Sequence, residues 1–453
     1  MNLFEALKAF LPESQFSVQA DQLAVASRDE STLPGITPQA IVWVKSIEEI
    51  SKVVTYCASQ AIPVTTRGAG SALEGSTIPC EGGIVLDVSL MTKITKIHED
   101  DLQVVVQPGI IYDDLNNKLK NYGLFFPPSP GGSGDIATIG GMVSTNASGI
   151  YSVKYGGTKD YVLSLEIVTG RGEIMTIGNR AIKRSSGYNL VDLISGSEGT
   201  LAVIGSVTLR LAGLPEKALK TAYKFDSDIN AAKAVSEICK YGIDIAAIEF
   251  LDKNVMEALN LLKDYQLEET PALFLEFHGS EETVKSNSEL AGSICEELNG
   301  SPLQLGEGHN PWEIRHFVTD AIKYRKPGYT ILRNDVAFPI SKLPEMVSFC
   351  QELAVKENIL IHTFGHVGLG LLHALILADK NDSGNWKKAL EINDRIIRRT
   401  IELEGTISGE HGIGIGHKNL FELEHGKSVE LMKLIKQQFD PCNILNPGKI
   451  FDV

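Results

Sequence analysis

The side chains of this 453-residue chain best suited to chemistry stand in two glycine-flanked stretches near its C-terminal end. In His366-Val-Gly-Leu-Gly-Leu-Leu-His373, two imidazoles lie seven residues apart. On one continuous helix that spacing separates them by about 10 Å along the axis, too far to share an ion through bonds of about 2 Å. Gly365, Gly368 and Gly370 argue for a turn instead, which brings both rings to one point. In Ser408-Gly409-Glu410-His411-Gly412, a carboxylate stands beside a third histidine. Two His and one Glu form a ligand set for a divalent ion that leaves positions open for substrate. Taken separately, the same residues are ordinary hydrogen-bonded structural groups, and spacing alone leaves both readings open.

A different chemistry is suggested by two glycine-rich segments. Pro63-Val-Thr-Thr-Arg67-Gly68-Ala69-Gly70-Ser71 follows a strand-like run. Closely spaced glycines let backbone N–H groups approach an anion, and Arg67 adds charge. The spacing is not GxGxxG, and no acidic ribose-binding residue stands at the dinucleotide distance. By itself this segment is better explained as a turn. The stretch from Pro127 through Pro128, Ser129, Thr138, Gly140, Gly141, Ser144, Asn146 and Ala147 to Gly149 is longer and dense in small residues. Side chains that small let a large flat cofactor lie directly on backbone. Ser195-Gly196-Ser197-Glu198-Gly199-Thr200, with Ile204 beyond, is a third such run.

The elements that must position these residues follow an α+β pattern. From 36 to 214, Val/Ile-rich runs such as AIVWV, GIVLDVS and LAVIGSVTLRL alternate with Gly/Pro/Ser turns and helical patterns. After Pro215 longer helical stretches appear, separated by strand candidates such as ALFLEFHG and RNDVAFPI. The expected division is an N-terminal helical segment (1–35), a first domain (36–214), a second α+β domain (215–420), and a C-terminal segment (421–453) that returns to the first. Leu3, Phe4, Leu7, Phe10 and Leu11 fall on one helical face, and Glu5 and Lys8 interrupt their apolar run, so the N-terminus reads as an amphipathic helix and not as a signal.

Composition narrows the function. A formal net charge of −15 argues against nucleic acid, whose phosphates need clustered Lys and Arg. An anionic substrate would then require a locally positive site inside an acidic envelope. No run of about 18 apolar residues is present, and a cytoplasmic protein is the default expectation. The six cysteines include no CxxC pair, which speaks against an iron–sulfur cluster in this chain and for buried reduced thiols.

Taken together, PxTxRGxG at 63–70, TIGGxxxTNAxG at 138–149, GSEGTL at 196–201 and NPGKI at 446–450 resemble the vanillyl-alcohol oxidase/p-cresol methylhydroxylase flavoprotein family. Within it, the chain is similar to the glycolate oxidase D-subunit and D-lactate dehydrogenase branch, over nearly its whole length. The resemblance implies an FAD-binding domain of two subdomains, a substrate-binding cap and a returning C-terminal tail. It places the FAD pyrophosphate within 66–71, with Arg67, Gly68, Ala69, Gly70 and Ser71, and the isoalloxazine and its linker along 128–149. Glu198, Gly199 and Ile204 are expected near the adenosine end. Covalent members attach the flavin through a His directly after RGxG; Ser71 stands there, so non-covalent FAD is expected.

The same resemblance, to GHxGDGNxH and a distal GEHGIG, implies that His366, His373 and Glu410 bind a divalent metal (Zn, Mn or Fe) and that His411 is the base. Leu369 and Leu371 replace the Asp and Asn of that pattern, so an apolar surround takes the place of polar groups that orient ligating imidazoles. Arg315 matches the position that clamps a substrate carboxylate, and Arg333 stands where relatives carry a basic residue before an Asp. The expected activity is oxidation of a small D-2-hydroxy acid, D-lactate or glycolate, to the 2-oxo acid, with hydride passing to flavin N5. The expected partners are that anionic acid and an external electron acceptor: a quinone, a cytochrome, an electron-transfer flavoprotein or an iron–sulfur subunit. A homodimer and peripheral attachment to a membrane through a partner are left open. A metal-free flavin oxidase of alcohols or sugars and a non-catalytic flavin subunit are the competing expectations.

Overall fold

The strand-like runs of the first half become strands because β-branched side chains pack well on a pleated surface. The computed structural model describes residues 3–263, 265–304 and 310–453. The chain divides into two units, one of residues 1–148, 157–214 and 410–453, the other of 149–156 and 215–409.

In the first unit, Ala40–Trp43 and Val64–Arg67 both pair in parallel with Ile84–Asp87. Parallel neighbours need crossover connections, and the helix Ile47–Gln60 supplies one. Ser46 caps it by accepting the Glu49 N–H at 3.3 Å, and Ile50, Val53, Val54 and Cys57 recur at helical spacing on its buried face. A five-stranded antiparallel sheet follows, in the order Ile94–His98, Gln103–Val106, Ala202–Arg210, Val162–Thr169, Ile174–Gly178. Both chain ends join this unit. Leu7 and Leu11 share a core with Val64, Val203, Ile444 and Leu445. The Val64 N–H donates to the Ile444 carbonyl at 2.7 Å and its carbonyl accepts the Asn446 N–H at 2.8 Å, so the C-terminal tail extends a sheet edge. The N-terminal helix is only Leu3–Lys8, shorter than its apolar pattern, since Pro12 cannot prolong it.

The second unit is built on seven antiparallel strands in the order Gly300–Pro302, Lys217–Phe225, Ala272–Gly279, Ala247–Leu251, Leu360–Gly365, Leu371–Ala378, Thr330–Ala337. Side chains alternate between faces with period two. One face, with Ile248, Phe250, Leu273, Leu275, Val336, Leu372 and Ile376, is covered by apolar side chains of helices Asp228–Lys240, Leu343–Glu357 and Ser383–Glu402. The opposite face carries Glu249, Glu276, His362, Phe364, His373, Arg333 and Asp335 between its apolar residues. Sequence texture put the end of this unit at 420, but Glu410 and everything after it fold with the first unit. The cause is local: the Ile415 and Gly416 N–H groups donate to the Glu74 carbonyl there. Residues 149–156 conversely join the second unit, where Ile150 packs in a core with Ala247 and Phe364.

Of the six cysteines, all free, Cys57, Cys295 and Cys350 are buried, Cys80 and Cys239 are partly buried, and Cys442 is exposed on the turn after Asp440. Among the described residues no helix is long and apolar enough to cross a membrane.

Candidate active site

In the first unit the glycine-rich segments converge on one cavity that opens to solvent. Gly68, Ala69, Gly70 and Ser71 form one wall, and Thr138, Gly140, Gly141, Ser144 and Ala147 another. Gly199 and Ile204 close the far side with Glu198. The walls fit each other only because their residues are small: a Cβ on Gly68 would stand 2.3 Å from Thr138 Oγ1. Gly70 has φ +74, and a Cβ there would meet the Arg67 guanidinium at 1.9 Å. Arg67 itself lies behind the loop, where its Nη1 donates to the Arg28 carbonyl at 2.7 Å. It supports the loop from the side away from the cavity. Pro128 and Ser129 lie outside the lining, as do Asn146, which ends the helix Ile139–Thr145, and Gly149, which belongs to the second unit. Thr66 Oγ1 reaches the cavity wall buried and without a hydrogen-bond partner, a donor and acceptor left for a bound group. A long, glycine-walled cleft with an unsatisfied hydroxyl fits a flat dinucleotide.

Glu410 and His411 complete the lining of this cavity. The Ser148 hydroxyl donates to Glu410 Oε2 at 3.0 Å, and His411 Nε2 is 3.7 Å from Glu410 Oε1. The loop behind them is fastened on two sides. Glu198 accepts the N–H groups of Ile413 at 2.7 Å and Gly414 at 2.9 Å, and the Ser76 hydroxyl at 2.6 Å. On the other side, beyond the Glu74 carbonyl bonds, His417 Nε2 lies 3.3 Å from the Glu74 carboxylate. Burial pushes the Glu198 carboxyl above the usual range, and the Ser76, Ile413 and Gly414 hydrogen bonds pull only partly against it.

In the second unit, the two histidines flank a turn, His366 at its start and His373 on the strand that leaves it. Leu360–Gly365 and Leu371–Ala378 form a hairpin whose connection begins at His366, and the His366 and His373 ring centroids are 5.6 Å apart. Glu249, fully buried, accepts from Arg315 Nε at 2.5 Å and bonds His366 Nδ1 with its other oxygen. Burial opposes ionisation of Glu249, but His366 and Arg315 outweigh it and hold the carboxyl down to about 2. Arg315 is set by the helix Pro311–His316, whose first N–H groups, of Trp312 and Glu313, donate to Asn310 Oδ1 at 2.9 and 3.1 Å. Its guanidinium lies 4.8 Å from the Phe364 ring centroid. His373 pairs in register with Asp335, and its Nδ1 is 3.6 Å from Asp335 Oδ1. Arg333 shares that face, opposite Leu375. Leu371 is buried, and Leu369 is 40% exposed at the hairpin tip.

Two family profiles match this chain: an FAD binding domain over residues 38–178, and the C-terminal domain of FAD linked oxidases over 214–450. The chain belongs to the FAD-linked oxidases. Its relatives in that family include a protein named probable mitochondrial D-lactate dehydrogenase from Danio rerio, 36% identical over 94% of this chain and 87% of the relative. Another is the glycolate oxidase subunit GlcD of Bacillus subtilis, 35% identical over 91% of this chain and 89% of the subunit. The solved structure of p-cresol methylhydroxylase superposes with a TM-score of 0.82 at 16% identity, covering 99% of this chain and 96% of that one, a likeness of fold.

Several residues of this FAD-linked oxidase that its motifs do not signal are polar groups within one unit or the other. Glu249 is one; its only mark in the sequence is a lone carboxylate within the apolar run AIEFL. Asp335 beside His373 and Ser148 on Glu410 are others. Buried Glu276 and His278 form a further group with the partly buried Tyr151: His278 Nε2 is 2.9 Å from Glu276, and the Tyr151 hydroxyl 3.5 Å from the same carboxylate. Lone acidic residues in apolar strands are the signal that would have found both carboxylates, because an unpaired buried charge is too costly to keep.

Proposed function

We propose that this protein oxidises a small D-2-hydroxy acid, D-lactate or glycolate, to the 2-oxo acid, and passes the electrons to an external acceptor. The observation that carries the proposal is His411, an imidazole in the wall of the cavity that fits the flavin. When bound, FAD supplies the redox chemistry by accepting hydride at N5. Ser71 lies at the position where covalent relatives have histidine, so the cofactor is held by contacts alone.

His411 takes the hydroxyl proton as general base, a role suited to imidazole near neutral pH. Arg315 binds the substrate carboxylate. Its Nε is committed to Glu249, while its Nη groups make no hydrogen bond with the described residues and keep the fork geometry that matches a carboxylate. Arg333 adds positive charge on the same sheet face, which answers the demand for a cationic site in an acidic chain. A divalent ion, Zn, Mn or Fe, on His366, His373 and Glu410 would lower the hydroxyl pKa. What supports it is the donor chemistry and the approach of the two imidazoles, with Glu249 fixing the orientation of His366. The relatives named D-lactate dehydrogenase and glycolate oxidase subunit support the substrate class. The acceptor is a quinone, a cytochrome, an electron-transfer flavoprotein or an iron–sulfur subunit, and the protein works in the cytoplasm.

The test is an anaerobic titration of the purified yellow protein with D- and L-lactate, glycolate and D-2-hydroxyglutarate, with and without chelator. Bleaching of the flavin by a D-acid or glycolate, suppressed by chelator, is the expected result. A flavin that no hydroxy acid bleaches would overturn the proposal.

A further inference from the structure

We infer that Glu198 is a positioning residue that fastens the loop carrying Glu410 and His411 to the wall of the flavin cavity. The inference rests on the proposed function for its catalytic consequence, though not for its geometry. Glu198 belongs to the GSEGTL run, where a cofactor contact is the natural expectation. Its carboxylate is instead engaged by protein donors: the Ser76 hydroxyl at 2.6 Å, the Ile413 N–H at 2.7 Å and the Gly414 N–H at 2.9 Å. The backbone of Glu198 is also tied down, since Asn446 Nδ2 donates to its carbonyl at 2.7 Å. It holds φ +52, a left-handed conformation rare for a residue with a side chain and kept only where the surroundings impose it. Across the contact, Gly412 has φ +84, and a Cβ there would stand 2.9 Å from the Glu198 carboxyl.

The arrangement is reciprocal. The carboxylate enters the loop one residue beyond His411, where only a glycine leaves room, and takes the next two N–H groups. Ser76, its third donor, lies shortly after the glycine-rich segment Gly68–Ser71 that forms one wall, and both Ser76 and Glu198 line the cavity. One carboxylate thus links the cofactor-binding segment to the loop that carries the base. A base one ångström out of place loses much of its effect, so the clamp acts on catalysis without touching substrate.

The experiment compares wild-type holoenzyme with Glu198→Gln in three measurements: flavin bound per chain, anaerobic flavin reduction by D-lactate and glycolate, and hydrogen exchange in the peptide 410–417. A glutamine keeps one acceptor and turns an N–H2 toward a backbone N–H, so it opens half of the clamp. The expected variant retains its flavin. Its limiting reduction rate falls on the order of tenfold to a hundredfold with little change in half-saturation, and the Ile413 and Gly414 amides exchange roughly tenfold faster. Loss of flavin would overturn the inference and make Glu198 a cofactor ligand. So would a slowed reaction with unaltered exchange, or wild-type behaviour in both. If no hydroxy acid reduces even the wild type while exchange accelerates in the variant, the clamp stands and the proposed function falls. Should Glu198→Gln fail to fold, Ser76→Ala removes one donor and must show the same pattern at smaller amplitude.

Discussion

Two buried glutamates, one in each unit, have opposite electrostatics. Glu198 is satisfied by neutral donors, a hydroxyl and two backbone N–H groups, and its carboxyl is raised. Glu249 is satisfied by a guanidinium and an imidazole, and its carboxyl is held down to about 2. The difference follows from what each must hold. Backbone amides are fixed in sequence, so a carboxylate that accepts them sets the path of a loop. Cationic side chains are mobile, so a carboxylate that pairs with them sets the orientation of groups that act on an anion. Both belong to the same enzyme: one shapes a loop of the first unit, the other orients Arg315 and His366 in the second.

The largest effect that would break this contrast is expected from Glu249→Gln. It leaves the Arg315 charge buried without its partner, and removing one member of a buried pair costs about 3–5 kcal/mol. Chemical denaturation of the holoenzyme should show that loss, and a stability within 1 kcal/mol of wild type, an order-of-magnitude limit, would mean Arg315 is not dependent on Glu249. His411→Ala comes next: flavin stays bound, and the rate of flavin reduction falls by about 10²–10⁴. Unchanged reduction would remove His411 from the role of base.

Arg315→Met should lower kcat/KM for the hydroxy acid on the order of tenfold to a hundredfold, mainly through KM, because it removes the charged partner of the carboxylate. An effect confined to stability would assign Arg315 to Glu249 alone. Non-covalent attachment is checked by acid precipitation: the yellow colour should remain in the supernatant, and a coloured pellet would contradict the reading of Ser71. The smallest effect concerns pH. A carboxyl raised by folding, as for Glu198, contributes stability that is present below its unfolded pKa and lost as pH rises through its folded one. The stability of Glu198→Gln should therefore decline less than wild type as pH rises above the ordinary carboxylate range, and parallel profiles would count against the raised value.

How far the site was legible in the sequence differs between the units for a physical reason. The cavity of the first unit is made by backbone brought close through small residues, and small residues at fixed spacing are a local pattern. The segments at Gly68–Ser71 and Thr138–Ala147 were therefore readable, as was the returning tail with Asn446. Arg67 was misleading in one respect: its charge suggested an anion, whereas its side chain turns behind the loop to the Arg28 carbonyl. The polar face of the second unit was only partly readable. His366 and His373 share one hairpin, and Arg315 was named through the resemblance, but Glu249 and Asp335 come from two other strands that only strand order and register bring alongside them.

The sequence by itself determined the family, the α+β class, the small-residue walls of the first unit's cavity and the turn that joins two histidines, because each depends on neighbours along the chain. Tertiary structure alone decided that the Glu410–His411 loop folds with the flavin unit, that Glu198 holds that loop in place of a cofactor, and that Glu249 governs Arg315 and His366. Those outcomes depend on buried charge finding its partner across long sequence separations, and the cost of leaving such a charge unpaired is set by the folded surroundings and not by the neighbouring residues.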